Sequence, residues 1–194
     1  MTQYALFETA IGWAGLAWGA DGLVAAHLPD ATPEIARKSF TRRFPEIVEG
    51  SPPAYVLDAI DRIRALMLGK PADLTGVPIE MGRVPDFNAQ VYAIARAIPP
   101  GETLTYGQIA EKLGDKLLAR DVGAALGQNP WPIVVPCHRV TAAGGKLGGF
   151  SARGGVNTKA RLLAIEGAKA LEPPPPKPAR TRAAAQAPQP SLFD

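Results

Sequence analysis

The chain has 194 residues, 46% hydrophobic and 20% charged, so most of it is globular rather than disordered. A single cysteine, Cys137, and two histidines, His27 and His138, exclude a disulfide framework and a multi-cysteine zinc or iron–sulfur site, and argue against a catalytic metal. The net charge of +3 is uneven, with residues 1–84 at −2, 85–168 at +3 and 169–194 at +2, which nudges the second part toward an anionic partner.

The first part reads as strands followed by helices. Met1-Thr2-Gln3-Tyr4 lacks the basic start of a secretory signal, so a soluble, cytoplasmic protein is expected. Residues 10 to 29 carry one charge, Asp21, but four glycines interrupt them, and Asp21-Gly22 reads as a hairpin turn rather than the middle of a membrane span. Tyr4–Phe7, Gly12–Trp18 and Leu23–Leu28 are expected to form a small antiparallel sheet. A helix over Thr32–Arg43 follows, with Pro33 at its first position, and a second over Ala54–Leu68 ends at Gly69. Nothing here carries chemistry, so residues 1–84 form a scaffold domain with its boundary near Gly82–Pro85.

Residues 85–168 are helical and punctuated. Asp86 is placed to cap a helix whose apolar face is Phe87, Val91, Ile94, Ala95 and Ile98, ended by Pro99-Pro100-Gly101. Thr105-Tyr106-Gly107-Gln108 has capping-box spacing and opens a short helix closed by Gly114. A second helix is expected over Leu117–Leu126. Two short helices across a three-residue glycine turn have helix-turn-helix spacing, which many helix pairs in ordinary cores share. Residues 169–194 include seven prolines and read as a disordered tail with a stiff polyproline stretch.

The chemistry sits in Asn129-Pro130-Trp131-Pro132-Ile133-Val134-Val135-Pro136-Cys137-His138-Arg139-Val140. Three prolines make this a rigid, non-helical run. A thiol near its ordinary pKa of about 8.5 is mostly protonated at neutral pH, so a nucleophilic cysteine needs a base or cation nearby. Neighbours in extended chain point to opposite faces, so His138 reaches the sulfur around a turn or through a bridging water. By itself the Cys-His pair is a weak signal.

Pro136-Cys137-His138-Arg139-Val140, with Asn129-Pro130, Arg120 and Tyr106 before it, resembles the O6-alkylguanine-DNA alkyltransferases, also called methylated-DNA–protein-cysteine methyltransferases. The resemblance is specific from about Phe87 to Gly167 and looser over residues 1–84. It implies an α/β plus α fold, with a ribonuclease-H-like amino-terminal domain before a winged helix-turn-helix-type domain. It implies direct-reversal repair: O6-alkylguanine, and O4-alkylthymine, is flipped from duplex DNA, and its alkyl group passes irreversibly to the cysteine without a cofactor.

Carried over, Cys137 matches the alkyl acceptor, His138 the residue that takes the thiol proton through a water, and Glu166 the carboxylate that orients it. Glu166 ends a helix expected over Lys159–Glu166, where the dipole disfavours an anion, so an acid there asks for a partner. Asn129 matches the brace of the active-site turn. Tyr106 matches the tyrosine that presses on the target phosphate and contacts the flipped base. Arg120 matches the arginine that fills the vacated stack, where an inserted side chain offsets part of an extrusion cost of a few kcal/mol. The small residues Gly123 and Ala124 let the second helix approach the DNA backbone closely. Val140 and Ser151 match positions that read guanine edges, Pro132 a wall against the alkyl group, and Gly144–Ser151 the loop that closes over the base, with Phe150 as a stacking wall.

There are departures. Gly127-Gln128 stands where some members have a second arginine, Asp121 places an anion beside Arg120, Phe150 replaces a tyrosine, and the stretch around Ala152–Gly155 is two residues longer, which widens the pocket. The chain ends Gln189-Pro190-Ser191-Leu192-Phe193-Asp194, similar to peptides that dock on the bacterial sliding clamp, so Gln189, Leu192 and Phe193 are candidate anchors. A monomer that contacts duplex DNA and no membrane is expected. The competing readings are a non-catalytic module that flips damaged bases, against which Cys137 argues, and a thiol hydrolase using Cys137 and His138.

Overall fold

Residues 1–169 are described by a computed structural model; the terminal Gln-Pro-Ser-Leu-Phe segment and nearly all of the proline-rich stretch lie outside them. Short, mostly apolar runs build three strands, β1 (Gln3–Thr9), β2 (Gly12–Trp18) and β3 (Leu23–Asp30), which pair antiparallel in sequence order. The β2–β3 connection is a tight loop in which Gly19 N–H donates to Gly22 O at 2.9 Å. Gly22 has φ +139°, and a Cβ there would lie 2.7 Å from the Pro78 carbonyl oxygen, so only glycine fits. The weakly charged stretch of residues 10 to 29 is therefore mostly strand. No helix among the described residues is long and apolar enough to cross a membrane.

Helix α1 (Pro33–Arg43) lies against this sheet, followed by β4 (Val48–Glu49), which adds to β1 in parallel to give the order β3-β2-β1-β4. Helix α2 (Ala54–Met67) packs its Val56, Ile60, Ile63 and Met67 face inward. It stops at Gly69, whose φ of +73° is a left-handed helix end.

In the second half, α3 (Asp86–Arg96) buries Val91, Tyr92 and Ala95. The expected Asp86 cap is corrected: Asp86 is the first helical residue, Pro85 takes the cap position, and no side chain caps the end. Proline's fixed φ already sets the entry angle of the chain, and Asp86 acts from the first turn, where the dipole favours an anion. After β5 (Leu104–Thr105), the capping box opens α4 (Tyr106–Lys112): Thr105 Oγ1 accepts from Gln108 N–H at 3.1 Å, and Gln108 Oε1 from Thr105 N–H at 2.7 Å.

The expected helix over Leu117–Leu126 divides into a 3-10 turn, Lys116–Leu118, and α5 (Ala119–Gly127). Asp115 causes the tighter entry by accepting from Leu117 N–H at 2.8 Å. Leu118 is half-buried, whereas Val122 and Leu126 are in the core. Strand β6 (Val140–Thr141) pairs in parallel with β5, and α6 (Gly155–Ile165) starts four residues before the expected Lys159.

One apolar core runs through both halves, from Phe7 and Leu16 in the sheet to Val122, Trp131 and Leu162. Trp131 fastens them. Its Nε1–H donates to Leu23 O of β3 at 2.7 Å, and its ring meets Tyr92 edge-on at 6.1 Å. Ala26 N–H of β3 donates to Pro130 O at 2.9 Å, so the sheet holds the segment that leads to Cys137.

Candidate active site

The approach to Cys137 is fixed by hydrogen bonds and strain. Asn129 Nδ2 donates to Val135 O at 2.8 Å, and its Oδ1 accepts from Trp131 N–H at 2.9 Å, so one amide clamps both ends of the Trp131–Val135 turn. Val135 N–H closes it onto Trp131 O at 2.7 Å. Inside, Ile133 adopts φ +77°, the one positive φ at a non-glycine among the described residues. A β-branched residue there costs on the order of 1–3 kcal/mol, which the clamp and the burial of the side chain hold in place.

Cys137-His138-Arg139 is one 3-10 turn entered from Pro136, which corrects the expectation of a wholly non-helical run. At about three residues per turn, successive side chains diverge by roughly 120°. Cys137 faces a cavity, while His138 and Arg139 face the core.

Glu166 caps the end of α6 and receives both of them. Its Oε1 is 3.0 Å from His138 Nε2 and 2.8 Å from Arg139 Nη2, and its Oε2 accepts from Arg139 Nε at 2.9 Å. The side chains are 1%, 6% and 3% exposed for His138, Arg139 and Glu166, so the cluster is shielded from solvent. Burial would raise the Glu166 pKa, but hydrogen bonds and charge from His138 and Arg139 outweigh it and hold the carboxyl at about 2. Burial lowers the His138 pKa more than Glu166 raises it, so the imidazole is neutral near pH 7. The ionised carboxylate accepts a hydrogen bond from Nε2–H, which leaves the His138 Nδ1 lone pair without a partner among the described groups.

Burial also pushes the Cys137 thiol up, opposed by an Asn129 hydrogen bond, the Lys159 charge and backbone N–H groups. The resting sulfur is therefore a thiol. Lys159 and Arg139 were not singled out from sequence. Lys159 is fully buried, its Nζ donating to Val140 O at 2.5 Å and Gly149 O at 3.1 Å, 5.6 Å from the Tyr106 ring centroid. Burial lowers its pKa to about 8, against the pull of Cys137.

Cys137 lines a cavity of about 480 Å³ with Tyr106, Arg120, Gly123, Phe150 and Ser151. Tyr106 begins α4, and its hydroxyl donates to Gly149 O at 3.2 Å. A Cβ on Gly148, at φ +73°, would lie 3.0 Å from the tyrosine ring, so the loop can seat there only as glycine. Arg120 stands exposed on the first turn of α5, without an ion pair among the described residues. Ser151 Oγ donates to Gly127 O at 3.2 Å.

Three expected residues stand apart from this group. Ala124 is exposed on α5 and does not line the cavity. Pro132 lines a neighbouring cleft instead. Val140 is buried with its backbone engaged, its carbonyl by Lys159 and its N–H by Cys137 O.

A protein from Mycolicibacterium paratuberculosis, "Methylated-DNA--protein-cysteine methyltransferase", is 38% identical over 167 residues, which are 86% of this chain and 93% of that one. The chain belongs to the methylated-DNA–protein-cysteine methyltransferase family. The family described as "6-O-methylguanine DNA methyltransferase, DNA binding domain" matches residues 86–168. A methyltransferase of the same name from Methanothermobacter thermautotrophicus is 33% identical over 79% of this chain and 78% of its own. The crystal structure of Mycobacterium tuberculosis OGT in complex with DNA superimposes with a TM-score of 0.66 at 32% identity, covering 84% of this chain and 92% of that one. The mixed α/β fold of this methyltransferase family is thus the fold of the chain.

Proposed function

We propose that the protein repairs O6-alkylguanine in duplex DNA by direct reversal, moving the alkyl group to Cys137. The observation that carries this is the cysteine on a cavity walled by Tyr106, Arg120, Gly123 and Phe150, with the His138–Glu166–Arg139 cluster behind it. In this reading α4 and α5 are a winged helix-turn-helix that docks on DNA, residues 85–168 are the functional unit, and residues 1–84 are a ribonuclease-H-like scaffold. Arg120 enters the stack as the base leaves it, Tyr106 presses on the target phosphate, and the flipped base lies against Phe150.

The chemistry follows from the protonation states. His138 Nδ1 takes the Cys137 proton through a bridging water while Glu166 stays ionised and holds the imidazolium. The thiolate attacks the alkyl carbon; the Sγ–C bond forms, the C–O6 bond breaks with its electron pair on the guanine, and the proton returns to the departing base. Charge from Lys159 and the hydrogen bond from Asn129 favour the thiolate as it develops.

The thioether formed has no leaving group, so each molecule turns over once. O4-alkylthymine belongs to the same substrate class; the longer stretch around Ala152–Gly155, expected to widen the alkyl pocket, lines the neighbouring cleft instead. A monomer in the bacterial cytoplasm, with Gln189, Leu192 and Phe193 available to a sliding clamp, completes the reading. Stoichiometry tests it. With lesion DNA in excess, lesions removed should equal protein molecules added; continued removal would point to a hydrolase.

A further inference from the structure

Beyond the Ser151–Gly127 hydrogen bond, the same two segments wall a second and larger cavity of about 760 Å³. It is formed by β3, α1, the Asn129 and Pro132 segment and the Ala152–Gly154 loop. Lys38, Arg42 and Arg43 from α1 and Arg153 from the loop line it, against one carboxylate, Asp30. Asp30 is already engaged, 3.5 Å from both Arg153 Nη1 and His27 Nε2. Lys38, Arg42 and Arg43 make no ion pair among the described residues, whereas Arg37, Arg62 and Arg64 pair with Glu49, Asp58 and Asp61.

Composition does not account for this concentration, because residues 1–84 are net negative. Lys38 and Arg42 are four residues apart, on one helix face and about 6 Å apart along its axis, where like charges repel unless an anion lies between them. His27, its Nε2 shielded from solvent and turned toward Asp30, lines the same cavity. A concave wall of unpaired cations focuses potential on a string of anions, and guanidinium groups suit phosphate oxygens.

We propose that this cleft is a second nucleic-acid backbone site, which takes phosphodiesters of the DNA outside the base pocket. The choice of DNA as the phosphate source rests on the repair reading above. The site would position the duplex without reading its sequence, as phosphate contacts do. Because one loop has Phe150 and Ser151 on the base pocket and Arg153 on the cleft, backbone held here steadies the loop that covers the base.

The test is the salt dependence of binding to a long undamaged duplex, measured by fluorescence anisotropy. Three full-length proteins are compared: the parent, Lys38→Gln/Arg42→Gln/Arg43→Gln, and a charge-matched control, Arg62→Gln/Arg64→Gln/Lys70→Gln. The cleft variant should lower the slope of log K against log salt by about 2–3 and weaken binding roughly tenfold at low salt, with the control near the parent. Its alkyl transfer from free O6-methylguanine base should be unchanged, which shows that the variant is folded. An unaltered slope, or an equal loss in the control, overturns the proposal. So does calorimetry in which the cleft variant loses pyrophosphate binding while its DNA slope stays at the parent value, which would make the ligand a free phosphate compound. A parent that accepts no alkyl group overturns the repair reading, while the salt slope still decides the cleft.

Discussion

His138 and Glu166, 28 residues apart in sequence, meet at 3.0 Å in a site that excludes solvent, with Arg139 on the same carboxylate. Glu166 therefore sets which imidazole nitrogen carries the proton, and it balances a buried guanidinium. Glu166→Gln should damage both roles. Leaving Arg139 buried and uncompensated should destabilise the fold by about 3–5 kcal/mol. The remaining folded protein should transfer its alkyl group roughly 10–100-fold more slowly, the scale of losing the partner that orients a working histidine. Chemical denaturation and single-turnover kinetics on the same preparation separate the two effects.

The same carboxylate makes stability depend on acid. Its pKa is about 2 in the folded protein against an ordinary 4.5, so its stabilisation is complete above about pH 4.5 and is lost as pH falls toward 2. At 1.36 kcal/mol per unit the loss is about 3 kcal/mol, and it should be largely missing in Glu166→Gln. Denaturant midpoints across that window measure it.

Transfer should respond to pH through His138. With its pKa below the ordinary 6.5, the base stays neutral at and above that pH. The single-turnover rate should hold down to about pH 6.5 and fall only at more acid values, as Nδ1 becomes protonated. A rate that already drops between pH 8 and 7 would contradict this order of ionisation.

The elements legible in sequence were those set by local chemistry. Thr105 and Gln108 gave the capping box because both partners lie within one turn, and the glycines placed most turns. The roles of Arg139 and Lys159 were not legible, since a cation in a sequence is by default a solvated one. Their partners, Ile98, Glu166 and Gly149, come from other elements, and only the fold buries them. Strand β4 was missed for the same reason: two residues carry no periodicity, and only β1 gives them a partner. The proline spacing around Cys137 read as extended chain because a single 3-10 turn leaves no pattern.

Lys159 ties β6 to the Gly144–Ser151 loop through Val140 O and Gly149 O. Lys159→Met keeps the apolar stem and removes those donors. It should cost about 1–3 kcal/mol for the carbonyls left without a partner, and raise hydrogen exchange over residues 144–151. Protection equal to the parent would show that the loop holds itself.

Thr105→Ala removes one half of the capping box at the start of α4, beside Tyr106. A loss of about 1 kcal/mol should lower the melting temperature by roughly 2–4 °C, as read by calorimetry.

The most direct measurement is mass spectrometry of the peptide containing Cys137 after incubation with duplex DNA carrying O6-methylguanine. One added methyl group on that peptide, equal to the lesions lost and absent in Cys137→Ala, is the predicted result. Unmodified Cys137 with the lesions still present, or lesions lost without a mark on the cysteine, would contradict the transfer to Cys137.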